Sequence, residues 1–218
     1  MMTENEQAMA SRGPRWQRKK EIRPQEILDA AAELFVEQGY AATRVSQIAK
    51  RAGVTAGTLY VYYKNKEAIL QEVIMKTINT VFDDSDAILK AYSGSAEGLL
   101  AILIQKWFAA VSGDSRISGI PKLVVAESSN FPQLANFFVK HVFDPAYNYI
   151  CRVLEYGIAK GTFRIDDVKM TAYAILSVFH GAVLDPHSLK MAQKYNLSQD
   201  AFEKRLCDLI LNGILKAK

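Results

Sequence analysis

Apolar and polar positions follow a helical period along nearly the whole 218-residue chain. Ile27, Leu28, Ala31, Leu34 and Phe35 mark one face of a first helix, with Pro24 suited to its first turn and Gly39 to its stop. Thr43 stands where it would cap a short second helix whose Val45, Ile48, Ala49 and Ala52 share a face, and Gly53 allows a tight turn after it. Thr55 caps a third helix reaching about Tyr63. Asn65 caps a fourth, with Glu67 in its first turn, running to about Val81. Beyond the acidic run Asp83–Asp86, the pattern predicts helices over Ala96–Val111, Pro121–Ser128 and Gln133–Lys160, the last broken or kinked at Asp144-Pro145. Asp166 and Asp167 open a helix over Val168–Leu184, Asp185-Pro186 closes it, and Ser198 caps a final one over Gln199–Lys216. No alternating run bounded by turn residues predicts a strand, and no repeat period emerges. The expected fold class is all-α.

Composition changes this picture little. Half the residues are hydrophobic and 23% are charged, which is globular and excludes global disorder. The apolar runs Leu99–Ile104 and Ala172–Leu184, the second broken by His180, fall short of the ~18–20 residues that cross a bilayer. The polar start MMTENEQAMASRG shows no secretory signal. Cys151 and Cys207 lie within apolar helical patterns, as reduced packing residues of a cytoplasmic protein would; a disulfide pair is the alternative.

Charge changes it more. Residues 1–66 hold 11 Lys/Arg against 7 Asp/Glu, the entire excess of four, while residues 67–218 hold 16 of each. The excess is densest at Arg12–Arg23, where Arg12, Arg15, Arg18, Lys19, Lys20 and Arg23 face only Glu21. Such a segment suits a nucleic-acid arm, residues 1–22, attached to a body with another task, or a solubilising tail.

A short helix, a turn at Gly53 and a second short helix opening at Thr55 have the spacing of a helix-turn-helix, whose second helix places its first residues at base edges in the major groove. Thr55 and Thr58 are small donors, and Gly57 lets backbone approach closely. Tyr60 and Tyr62 offer phenolic hydroxyls, and Lys64 and Lys66 offer charge to phosphates. A plain helical hairpin explains the apolar spacing but not the tyrosines.

Residues 25–70, QEILDAAAELFVEQGYAATRVSQIAKRAGVTAGTLYVYYKNKEAIL, closely resemble the DNA-binding domain of the TetR/AcrR family of bacterial transcriptional regulators. The likeness rests on ILDAAAELF, Gly39-Tyr40, Thr43, Ile48-Ala49, Ala52-Gly53-Val54, Gly57-Thr58-Leu59-Tyr60 and Lys66-Glu67 at fixed offsets. KLVVAESSNFPQL and YGIAKGTFRID resemble a C-terminal type common in the family. The resemblance implies that Gly57 and Tyr60 touch bases or nearby backbone, and that Thr55, Tyr62 and Lys66 touch phosphates. It implies that Arg44 and Ser46 contact DNA from the second helix, while Leu59 and Tyr63 pack inward. Ala56 stands where a longer polar residue is common, and offers only apolar contact, for example to a thymine methyl.

The resemblance also implies a head over residues 23–70, joined by a connecting helix to an effector-binding and dimerising body over 71–218. The residues themselves support a homodimer. Ala174, Ser177, Gly181 and Ala182 permit close helix approach, and Phe202, Leu206, Leu209, Ile210 and Ile214 form a stripe on the last helix. Effector candidates are aromatic residues and polar residues set in apolar helices: Trp107, Phe108, Glu127, Phe138, His141, Tyr147, Cys151, Phe179 and His180. The implied effector is a largely apolar or aromatic small molecule. The chain thus reads as a ligand-responsive repressor that binds a pseudo-palindromic double-stranded operator as a dimer. No cofactor, metal or membrane role is expected. The rival readings are a helical protein-interaction module and a metal-dependent helical enzyme. The second would use His141 with Asp144, or His180, Asp185 and His187, and neither set has a structural zinc spacing.

Overall fold

The segments with a helical period fold as helices. The computed structural model describes residues 15–82, 85–113 and 115–215. Within them follow α1 (Arg15–Gln38), α2 (Val45–Arg51), α3 (Ala56–Tyr62), α4 (Lys66–Phe82), α5 (Ser85–Ala91), α6 (Ala96–Gly113), α7 (Ser115–Glu127), α8 (Pro132–Phe138), α9 (Asp144–Ala159), α10 (Val168–Leu184), α11 (Met191–Lys194) and α12 (Gln199–Ile214). The β-type pairing described is one isolated antiparallel bridge between Phe163 and Leu215. The fold is all-α. The contacts divide the chain into two compact units, Met1–Val73 and Ile74–Lys218.

In the first unit α1 packs on α2 and α2 on α3. Ile27, Ala31, Leu34 and Phe35 of α1 close on Ile48 and Ala49 of α2, Leu59 of α3, and Ile69, Leu70 and Val73 of α4, all buried. Four caps take the expected form, each accepting a bond from the backbone N–H three residues on: Thr55 from Thr58 at 3.1 Å, Asn65 from Ala68 at 2.8 Å, Asp167 from Met170 at 2.9 Å and Ser198 from Ala201 at 3.0 Å.

Other expectations are corrected. α1 begins at Arg15, so Pro24 lies inside it and the inner part of the expected arm, from Arg15 on, is helical backbone; Arg12 lies outside the described residues. Thr43 caps nothing. It is buried, and its hydroxyl donates to Gly39 O at 2.7 Å while accepting from Gln38 Nε2 at 3.1 Å. α2 starts instead from Arg44, whose backbone N–H is met by Gln47 Oε1 at 2.7 Å. α7 begins six residues before Pro121. The last helix ends at Ile214, where Arg164 N–H bonds Ile214 O at 2.7 Å and the Phe163–Leu215 bridge takes over. α5 and α11 were not foreseen.

The break expected at Asp144-Pro145 appears as a π-helical stretch, Val139–Phe143, with Pro145 in the first turn of α9. Proline has no N–H to give, and a wider turn before it absorbs the mismatch.

The second unit is built on α6 and α9. Leu99, Leu100, Ile104 and Phe108 meet Ile150, Val153 and Leu154, and α10 adds Ala172, Ile175 and Phe179. α12 packs on α6 through Leu206 and Ile214. Both cysteines are free and half-buried. No described helix is long and apolar enough to cross a membrane.

Candidate functional site

The turn between α2 and α3 is set by one left-handed residue, Gly53, with φ of +66°. Val54 N–H reaches back to Ala49 O at 2.9 Å, which closes the end of α2 and aims α3 away from it. α3 has only seven residues, too few to persist unaided. Leu59, fully buried, and the Thr55 cap hold it in place.

The three tyrosines that follow divide by environment. Tyr63 is half-buried and its hydroxyl donates to Pro24 O at 3.4 Å. Burial, and then the Glu72 carboxylate, push its phenol up to about 12, so it stays neutral at any ordinary pH. Tyr60 is 54% exposed, and Tyr62 is half-buried. Arg44, Ser46, Thr55, Ala56, Gly57 and Lys64 are exposed; Thr58 is half-buried, its hydroxyl 2.9 Å from that of Thr55. Val61 was missed by the sequence reading, yet at 79% exposure it is the most open large apolar side chain described. Its spacing of four from Gly57, and its place next to Tyr60, itself four from Ala56, are the signals that put it on this side of α3. That face offers small and apolar contacts at Ala56, Gly57 and Val61, flanked by hydroxyls and cations. This is the chemistry of a surface read against base edges and phosphates.

Lys66 makes contacts within its own chain. It is half-buried, and its ammonium donates to Tyr40 O at 2.6 Å, Thr43 O at 2.9 Å and Ala41 O at 3.3 Å, and lies 4.3 Å from the centre of the Tyr40 ring. Three carbonyls of its own chain accept from it.

Of the effector candidates, three meet around Phe179 and two meet through Phe143. Trp107 stacks on Phe179 at 5.1 Å, Phe108 meets Phe179 edge-on at 6.2 Å, and Phe143 links Phe138 at 5.4 Å with His180 at 4.9 Å. His180 Nε2 is buried with no hydrogen-bond partner among the described residues, and burial holds the imidazole below its ordinary pKa. Sequence reading missed Tyr149, whose hydroxyl is buried without a partner in the same way. His141, Tyr147 and Cys151 make other contacts. His141 pairs with Phe137 at 4.3 Å. Tyr147 donates to Lys169 O at 3.3 Å and lies one turn from Cys151, whose thiol burial pushes up. Glu127 sits at the end of α7.

A crevice of about 550 Å³ opens between Phe108, Val178, Gly181, Met191, Leu197 and Phe202. Beside it, Met170, Tyr173, Ala174, Ser177, Val178 and Gly181 form an exposed stripe on α10, and Phe202 and Leu209 are exposed on α12. Leu206 and Ile214, expected in that stripe, are buried within the chain. No group of three His, Cys, Asp or Glu side chains converges among the described residues.

Two family models match: bacterial regulatory proteins of the tetR family over residues 27–73, and the AefR-like transcriptional repressor C-terminal domain over residues 99–206. The chain is 30% identical over 199 residues to the fatty acid metabolism regulator protein of Bacillus subtilis, covering 89% of this chain and 98% of that one. It is 29% identical over 156 residues to the HTH-type transcriptional repressor KstR2 of Rhodococcus jostii, covering 69% and 73%. The crystal structure of the transcriptional regulator FadR from Bacillus subtilis in complex with stearoyl-CoA superposes with a TM-score of 0.69 at 27% identity, over 87% of this chain and 98% of that one. A helix-turn-helix head with an outward-facing α3, an all-α body and matches along both units place the chain in the TetR family of bacterial transcriptional regulators.

Proposed function

We propose that this regulator is a cytoplasmic repressor, not an enzyme, whose dimer binds a pseudo-palindromic operator and leaves it when a largely apolar effector enters the body. The observation that carries the DNA half is the exposed face of α3. Ala56, Gly57, Tyr60 and Val61 stand together on it, with Arg44, Ser46, Thr55, Tyr62 and Lys64 at its margins. Ala56, Gly57, Tyr60 and Val61 meet bases in the major groove, and the marginal hydroxyls and cations meet phosphates. Arg15–Arg23 extends the positive charge along the backbone. Residues 23–70 act as the head and 71–218 as the body.

The exposed stripes on α10 and α12 support the dimer. Large apolar side chains open to water on two helices that line one crevice gain most by meeting a second copy. For the effector, the ring group around Phe179 and the unpartnered His180 Nε2 support a ligand with a broad apolar part and one hydrogen-bonding group. The relatives' names, one a fatty acid metabolism regulator and one a FadR bound to stearoyl-CoA, make long-chain acyl compounds the first class to try. The two-state requirement is that effector binds the DNA-free form better, so that operator affinity and effector affinity fall together.

The test is titration of a bound operator duplex with stearoyl-CoA, free stearate and a steroid, followed by fluorescence anisotropy. Release by one of them, lost in His180→Phe, is the expected result. Release by none, with normal duplex binding, overturns the effector half.

A further inference from the structure

Lys66 is the first residue of α4, directly after the Asn65 cap, and α4 is the helix by which the head continues into the rest of the chain. Its ammonium has three hydrogens and meets three acceptors: Tyr40 O at 2.6 Å, Thr43 O at 2.9 Å and Ala41 O at 3.3 Å. The same charge lies 4.3 Å from the Tyr40 ring centre, and that ring is buried against Phe35 at 5.6 Å. These carbonyls belong to the turn that follows α1. They lie between α1 and α2, outside either helix's own hydrogen-bond ladder, and a cation there satisfies carbonyls that would otherwise need water. The turn is braced a second time by the buried Thr43 hydroxyl, which donates to Gly39 O. The next residues along it are Arg44 and Ser46, exposed at the start of α2.

We infer that Lys66 is a positioning residue for DNA binding: its ammonium pins the Tyr40–Thr43 turn to the first turn of α4, which fixes the start of α2 and ties the head to its connecting helix. It does not act on phosphate. Without the pin, the turn and the α2 start must be ordered anew on each encounter with DNA. The cost appears as affinity, while the number of phosphates neutralised stays the same. The ammonium is also specific in shape. Three carbonyls converging on one nitrogen suit a compact tetrahedral donor, and a planar guanidinium cannot meet all three in that space. The inference rests on the DNA-binding reading above.

The experiment uses the full chain and the duplex that the wild-type protein selects from a random library. Binding is measured from about 50 to 200 mM salt, at a temperature where circular dichroism shows every variant folded. Wild type, Lys66→Met, Lys66→Arg and the exposed-lysine control Lys64→Met are compared. Lys66→Met is expected to bind about tenfold more weakly per protomer, the effect of re-ordering about one residue, with its slope of log K against log salt unchanged. Lys66→Arg is expected to fail to restore binding, although it keeps the charge. Lys64→Met is expected to flatten the slope by about 0.9 per protomer, as loss of a phosphate contact does. A flattened slope for Lys66→Met with rescue by arginine overturns the inference in favour of a phosphate contact. Wild-type affinity in folded Lys66→Met overturns it in favour of a role in stability alone. A wild-type protein that selects no duplex takes down the DNA-binding reading and this inference together.

Discussion

Thr55 carries two tasks that one substitution separates. Its hydroxyl accepts the Thr58 N–H at 3.1 Å and caps a seven-residue helix, and it stands exposed at the margin of the DNA-facing surface. In Thr55→Asp a carboxylate takes over the cap. Aspartate caps at least as well as threonine, and its charge suits a helix N-terminus, so the melting temperature should hold or rise slightly. The Thr58 hydroxyl, 2.9 Å from Oγ1, becomes a donor to that carboxylate. Toward DNA the same charge is repelled. At about 5 Å from a phosphate the cost is about 0.8 kcal/mol in water-like surroundings and about 3 kcal/mol at an effective dielectric near 20. Two protomers double this to about 2–6 kcal/mol, a loss of at least about thirtyfold in affinity. Thr55→Ala serves as the opposite case, losing about 1 kcal/mol of cap while adding no charge. Anisotropy titrations at matched salt and thermal melts followed by circular dichroism give the two numbers. Wild-type binding by a normally melting Thr55→Asp protein would refute the placement of Thr55 against the backbone of DNA.

Three further outcomes follow from other parts of the molecule. Tyr62→Phe should weaken operator binding up to about tenfold per protomer, by loss of one hydrogen bond to a charged group, with the melting temperature unchanged. His180 is held below its ordinary pKa by burial, so below about 6.5 the unfolded chain takes up a proton that the folded one refuses. Stability should therefore fall as pH drops from about 6.5 toward the folded pKa, and His180→Phe should remove that component of the pH slope in denaturant titrations. Gly157 lies on α9 against the buried Phe163, and a Cβ built there comes within 2.0 Å of a carbon of the Phe163 ring. Gly157→Ala should destabilise the body by about 1–3 kcal/mol, read as a lower denaturation midpoint, with head residues unaffected in local amide exchange.

Where a side chain acts on its own local backbone, the sequence was a good guide to the structure. Thr55, Asn65, Asp167 and Ser198 each cap the helix that starts after them, because the bond spans three residues and needs nothing distant. Thr43 shows the limit. Its hydroxyl is chemically able to cap α2, but packing of α1 on α2 buries it, and there it serves the carbonyl of Gly39. Pro24 and Pro121 were read as helix starts because proline suits a first turn, yet both α1 and α7 extend upstream of them. Lys66 reads in sequence as a phosphate contact, since reach and charge are all that spacing conveys. Only folding brings it within 3.3 Å of carbonyls 23 to 26 residues away. The inward packing of Tyr63 was implied by the family resemblance, and Tyr63 does pack inward on Pro24, while Tyr60 is exposed and Tyr62 half-buried. The aromatic supply of the body was equally plain, but which rings meet depends on how α6, α8, α9 and α10 cross. Of nine candidates, Trp107 and Phe108 meet Phe179, Phe138 and His180 meet Phe143, and His141, Tyr147 and Cys151 make other contacts.

The central claim is that the exposed face of α3 reads duplex DNA as one half of a symmetric pair. Selection of the full-length protein against a random duplex library tests it most directly, with stoichiometry measured on the recovered sequence. The account predicts one enriched pseudo-palindrome bound by a dimer or a pair of dimers, its half-sites about 34–36 Å apart or modestly more, and lost in a Tyr60→Ala, Val61→Asp double variant. Recovery of unrelated sequences, or of an enriched site that the double variant binds equally well, would contradict it.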